Sequence, residues 1–167
     1  VESIEVLASK AGLEVPYEQP SKTTEDRKPI FKILKVALDF YANILANDDS
    51  AKRVREYVSG ERQISSDTCK RFSMGYAPHH SDDTLTSYLS KSGFTDDLQI
   101  KAGLAKVKNN KLIDFFRGRL MFPIRDRQGR TVGFGGRVMD SKDQPKYLNT
   151  SDTPVFQKGK ELYGLFE

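Results

Sequence analysis

Apolar residues recur every three to four positions in the first part of the chain and gather into short runs around turn residues in the last part. Ile30, Ile33, Leu34, Ala37, Leu38, Tyr41, Ile44 and Leu45 fall on one face of a helix over 30–46. Ile4, Leu7, Ala8 and Ala11 do the same for a short helix over 1–12, which Gly12 ends. Between them, 16–29 hold Pro, Ser, Thr and charges without apolar periodicity, which predicts a linker. Shorter helices are predicted near 51–59, 66–73, 82–92 and 96–102. The last two open on Ser81-Asp82-Asp83 and Thr95-Asp96-Asp97, with Gly93 and Gly103 at their ends. Paired carboxylates can hold a metal or share a proton. In a first turn they instead offset the helix dipole and accept from unpaired N–H groups, and capping is the reading adopted.

The character changes after Gly103. Leu104-Ala105-Lys106-Val107 and Lys111-Leu112-Ile113 flank Asn109-Asn110, which predicts a hairpin. Residues 118–124 and 131–134 flank Gln128-Gly129, a second hairpin signal. Pro123 cannot donate to a ladder, so it predicts an edge position or a bulge. Helices first and a small antiparallel or mixed β region afterwards make an α+β class.

Charge sharpens this picture. The 167 residues carry 27 Lys+Arg and 23 Asp+Glu, a net +4. Residues 1–100 account for −3 and residues 101–167 for +7. Such asymmetry suits a nucleic-acid or phosphate-binding surface as well as a solvated basic face. The longest stretch without Asp, Glu, Lys or Arg runs only from Phe72 to Ser81, so no membrane span is expected. A single cysteine, Cys69, excludes an internal disulfide and a Cys-rich zinc site. It falls in a predicted helix and reads as packed. The chain begins Val1-Glu2-Ser3 without a signal segment and reads as part of something longer.

Candidate chemistry is mostly basic. His79 and His80 are the only histidines, in a loop after Pro78, without the spaced ligands that zinc requires. Gly133-Phe134-Gly135-Gly136-Arg137 lacks the spacing of a phosphate-binding loop, and its glycines predict a bulge or close backbone approach. Arg117 and Arg119 are two apart and on a strand would share a face. Arg137, Lys146, Lys158 and Lys160 follow, interleaved with Phe134, Tyr147, Phe156 and Tyr163. Cations that neutralise phosphates beside rings that stack on bases suit single-stranded nucleic acid.

Several runs occur together in order: Arg117-Gly118-Arg119-Leu120-Met121-Phe122-Pro123-Ile124-Arg125-Asp126, Gly129-Arg130-Thr131-Val132-Gly133-Phe134-Gly135-Gly136-Arg137, Pro145-Lys146-Tyr147-Leu148-Asn149-Thr150, and Phe156-Gln157-Lys158-Gly159-Lys160-Glu161-Leu162-Tyr163-Gly164-Leu165. This series resembles the bacterial DnaG-type DNA primases, in the N-terminal subdomain of their RNA polymerase domain. Arg55-Glu56-Tyr57 and Arg71-Phe72-Ser73-Met74-Gly75-Tyr76-Ala77-Pro78 extend the likeness upstream, and Leu13-Glu14-Val15-Pro16 resembles the end of the zinc-binding module or its linker.

The resemblance implies residues 1–29 as the end of a preceding module with its linker and 30–167 as that subdomain. It implies a nucleotidyltransferase that makes RNA primers on single-stranded DNA from nucleoside triphosphates, in the cytoplasm at the replication fork. Mg or Mn would be held by a Toprim subdomain following Glu167, and Zn by the module before Val1. The replicative helicase would bind a C-terminal domain. No catalytic carboxylate is expected in this chain, which would therefore be inactive alone. The resemblance puts Arg117, Arg119, Arg137 and Arg55 along the template, and Lys146, Tyr147, Asn149 and Lys158 at the nucleotide.

Three departures stand out. Relatives have Arg-Gly shortly after the tyrosine, where this chain has Arg62-Gln63 and one extra residue. Phe115 stands where many carry another Arg, and Ser151-Asp152-Thr153 replaces Pro-Glu-Thr. A non-catalytic single-stranded nucleic-acid-binding module, or a domain whose basic face meets an acidic protein, stays open at this point.

Overall fold

The structure is a computed structural model, and it describes residues 26–79, 84–140 and 143–167. The helix expected over 1–12, most of the linker, His80 and the Ser81-Asp82-Asp83 cap lie outside the described residues.

Helix α1 (Lys28–Asn47) carries the apolar stripe predicted for it: Ile30, Ile33, Leu34, Ala37, Leu38, Tyr41 and Leu45 are buried. It has no side-chain cap, no acidic residue in its first turn and no basic residue in its last. Packing therefore holds it, since each buried Ile or Leu contributes about 1.5–3 kcal/mol. A 3-10 turn (Asp49–Ala51) leads into α2 (Lys52–Glu56), a π turn (Tyr57–Glu61) and α3 (Ser66–Arg71). The Ser65 hydroxyl accepts from the Thr68 N–H to cap α3. After β1 (Gly75–Ala77) come α4 (Thr84–Lys91) and α5 (Asp96–Lys101). Thr95 caps α5 through the Leu98 N–H, and Asp96 and Asp97 sit in its first turn, so this Asp pair is a capping feature.

Strands β2 (Ala105–Lys108) and β3 (Lys111–Asp114) form the first predicted hairpin. Asn109 and Asn110 have φ of 51° and 57°, the left-handed pair that a two-residue hairpin turn requires. β4 (Arg119–Arg125) and β5 (Thr131–Val138) form the second, and β6 (Tyr147–Asn149) adds to it. The main sheet is antiparallel in the order β1-β4-β5-β6. The α+β class is realised.

β4 is an interior strand, yet β1 pairs only with Arg119–Met121, so Pro123 lies beyond the reach of β1. A register shift at Ile124/Arg125 follows it. Arg117 is not on the strand at all: β4 begins at Arg119, and Gly118 with φ 57° turns the chain ahead of it. The shared strand face expected for Arg117 and Arg119 is therefore corrected.

One sheet face packs on α1 through Ala77, Met121 and Phe134. Here a Cβ on Gly75 would lie 2.6 Å from Tyr41 Cβ, so the absent side chain sets how closely α1 approaches β1. The opposite face meets α2 and the π turn, where Leu120 and Tyr76 pack with Leu45, Val54, Val58 and Met74. No helix among the described residues is long and apolar enough to cross a membrane.

Candidate nucleic-acid interface

The register of the sheet decides which cations can meet. Arg137 pairs with Tyr147 and Gly135 with Asn149 across β5–β6, so these four positions share one face. Leu120 opposite Arg137 and Phe122 opposite Gly135 continue that face onto β4. Gly135 has no side chain, and an added Cβ would lie 3.1 Å from Asn149 Oδ1. The face is thus shallow between Asn149 and Phe122. Tyr147 is 59% exposed, with Lys146 Nζ 6.0 Å from its ring centroid. An exposed ring beside a cation is a platform on which a base can stack.

Arg137 is fixed from the other side. Its guanidinium carbon lies 4.7 Å from the Tyr57 ring centroid, and Nη1 donates to the Val138 carbonyl at 3.1 Å. Arg62 reaches the same ring at 5.8 Å. Two cations over one ring concentrate positive charge at this corner. Two buried donors there, Arg137 Nε and Tyr57 Oη, have no hydrogen-bond partner among the described residues.

The Tyr57–Arg62 segment closes as a π turn. Arg62 N–H donates to Tyr57 O, the five-residue spacing of a π turn, and Ile64 N–H donates to Val58 O. That closing bond spans one residue more than the usual helix-ending motif. This wide turn sets Arg62 at the ring. Sequence reasoning did not assign Arg62 or Tyr57 to the site; the displaced Arg-Gly was the available signal.

The other expected site residues are placed differently. Arg119 lies on the opposite sheet face and is 5% exposed, donating through Nη1 to the carbonyls of Gly136 at 3.3 Å and Pro145 at 2.9 Å. Burial lowers its pKa, and nearby Asp143 acts in the opposite sense. Gly136 makes this possible, because a Cβ there would come within 3.0 Å of Arg119 Cδ and of Phe116. The glycine-rich strand is thus a place of close approach. Arg119 braces the segment leading to Lys146. Arg55 donates to the carbonyls of Leu45 and Asp48 at 2.9 and 2.8 Å, closing the C-terminal end of α1. Arg117 stands in the turn before β4. Lys158 is exposed on the turn after Phe156, its backbone N–H donating to Asp152 Oδ1 at 2.9 Å. The structure brings together Arg137, Lys146, Tyr147 and Asn149; it does not bring Arg55 or Arg119 to that face.

His79 pairs with Asp143 at 3.5 Å. Burial pushes the Cys69 thiol up, away from the reactive thiolate. No group of three or more His, Cys, Asp or Glu among the described residues could hold a metal ion. The resemblance implies Mg or Mn in a Toprim subdomain and not among these residues, and no chemical step is routed through a metal here.

Clustered cations, an exposed ring and an open sheet face define an α+β domain with a cationic face. More particularly, the chain belongs to the family of the DNA primase catalytic core, N-terminal domain, whose profile matches residues 40–167. It is 41% identical over 172 residues to a DNA primase of Pseudomonas putida, covering 99% of this chain and 26% of that protein. Its fold superposes with a TM-score of 0.79 on the RNA polymerase domain of Mycobacterium tuberculosis primase DnaG in complex with double-stranded DNA, at 32% identity over 84% of this chain and 44% of that one. A DnaG primase catalytic domain bound to single-stranded DNA gives 0.75, at 38% identity over 85% of this chain and 43% of the other. The chain thus spans about a quarter of the curated relative's length.

Proposed function

We propose that this chain is the template- and triphosphate-holding part of a DNA primase, a nucleotidyltransferase that makes RNA primers on single-stranded DNA. The observation that carries the reading is the corner where Arg137 and Arg62 share the Tyr57 ring beside the open Gly135–Asn149 face. Template phosphates would be held at the Arg137–Arg62 corner, with a base on Tyr147. Lys146 just ahead of β6 and Asn149 on it, with Lys158 beyond, would hold the triphosphate. Arg119 and Arg55 enter the reading through the carbonyls they hold in place, and Arg117 through its place at the start of β4.

Phosphoryl transfer divides naturally in this way. Positioning and charge neutralisation belong to these residues, while carboxylates elsewhere in the polymerase core, in a Toprim subdomain, would hold the metals at the reacting phosphate. The fold supplies a rigid sheet with its cations preset, which reduces the ordering needed when the substrate arrives. In this reading residues 30–167 form one subdomain, and 1–29 link it to a zinc-binding module. Helicase engagement would belong to a further domain.

The test is primer synthesis on single-stranded DNA with Mg²⁺ or Mn²⁺, by the chain alone and together with the metal-binding half. Activity only in combination, and its loss in Arg137→Ala, supports the reading. Robust synthesis by the chain alone, or full activity of the combined Arg137→Ala protein, contradicts it. In the combined protein Lys158→Ala should raise the triphosphate KM, and an unchanged KM would remove Lys158 from the nucleotide site.

A further inference from the structure

A second cationic site lies at the other end of the sheet. A cleft of about 480 Å³ opens between the start of α1, the β4–β5 loop and the turn after Phe156. Arg130 borders it at the start of β5, while Arg137 lies near that strand's C-terminal end. At about 3.3 Å per residue the two are roughly 20 Å apart, so this cleft is distinct from the corner described above.

Its floor is apolar, with Val132 and Phe156 buried and Phe31 packed against them. The Arg130 guanidinium carbon lies 4.3 Å from the Phe31 ring centroid. Asp126 fixes it there, with Oδ2 accepting from Nε at 2.8 Å and pairing with Nη2 at 2.7 Å. Oδ1 of Asp126 accepts from the backbone N–H groups of Gln128 and Arg130 at 2.9 and 3.0 Å. That carboxylate is therefore spent on its own loop and on Arg130.

Three cations remain. Arg27, Arg127 and Lys160 also line the cleft, and their side chains make no hydrogen bond or ion pair among the described residues. Glu161 is the one further acid in the lining. The three come from separate segments, and nothing in their local sequence requires them to converge. Arg27 is in addition the N-cap of α1, whose first turn lacks an acidic side chain, so the positive helix end adds to the field. Convergent cations over an apolar floor in a concave site focus potential that a flat solvated surface would dissipate.

We propose that this cleft is a second phosphate-binding site, separate from the Arg137 corner. It would take the phosphate groups of a free nucleotide or of a nucleic-acid backbone. The proposal stands on the cleft alone and does not depend on the polymerase reading.

Inorganic pyrophosphate and a single-stranded oligodeoxythymidylate are the two probes, titrated into the chain and into Arg127→Ala/Lys160→Ala. Both substituted residues are exposed, so the fold should persist. Pyrophosphate is expected to shift the backbone amide signals of 126–130, and its affinity there should fall about tenfold or more in the double variant. Loss of pyrophosphate binding with an unaltered oligonucleotide assigns the cleft to free nucleotides. A fall of about 1.4 in the oligonucleotide's log–log salt slope assigns it to backbone phosphates. Recovery in Arg127→Lys/Lys160→Arg, which keeps the charge, separates the effect from misfolding. If the wild-type chain binds neither probe at these amides, or the double variant binds both as tightly as wild type, the proposal is overturned.

Discussion

Four arginines that look alike in the sequence have four different surroundings. Arg137 is stacked on Tyr57, Arg119 is buried among carbonyls, Arg55 closes a helix and Arg117 lies in a turn. The difference comes from what faces each one, and only Gly136 beneath Arg119 gave a local hint of it. Tyr57 positions Arg137 through its ring, so Tyr57→Phe should preserve single-stranded DNA binding while Tyr57→Leu weakens it about fivefold. Equal affinities for wild type and Tyr57→Leu in a fluorescence titration would remove the ring from the site. Gln63 presents a second residue-scale case. Its φ is 52°, a left-handed conformation that costs a non-glycine residue about 1–2 kcal/mol. Gly at this position would relieve that strain while adding about 0.4–1 kcal/mol of unfolded-chain freedom. Gln63→Gly should therefore stabilise the chain by about 0.5–1 kcal/mol, raising Tm by roughly 1–4 °C. A lowered Tm would show that the Gln63 side chain contributes more than its backbone costs.

At the scale of elements, what was legible in the sequence is what local chemistry dictates. The stripe of α1, the Thr95 cap and the Asn109-Asn110 turn are each encoded within a few residues, and each forms. β1 and β6 have three residues apiece, too few to show alternation, and they exist because β4 and β5 offer edges to pair with. The Tyr57–Arg137 contact joins positions eighty residues apart in number and has no local signature. Helix α4 shows the same limit. Its cap comes from across the fold: buried Asp114, at the end of β3, accepts the Leu85 and Thr86 N–H groups at 3.0 and 2.8 Å. A carboxylate at a helix N-terminus favours both the unpaired donors and the dipole. Asp114→Ala should cost about 3 kcal/mol, because two charge-assisted bonds are lost and two buried donors are exposed. Chemical denaturation measures this directly; a loss below about 1 kcal/mol would mean that water replaces the carboxylate.

For the whole molecule, the sheet separates two tasks. One face is committed to α1 and stability, and its opposite is partly covered by the π turn, leaving the β5–β6 end open. The basic surplus of residues 101–167 gathers at one corner only because the register places Arg137 beside Tyr147 and the π turn delivers Arg62 to the same place. In the proposed function this corner binds template phosphates. Single-stranded DNA affinity measured across a salt series, for the chain and for Arg62→Ala/Arg137→Ala, tests it most directly. Two lost phosphate contacts should flatten the log–log slope by about 1.4 and weaken binding at low salt. An unchanged slope and affinity would contradict the claim.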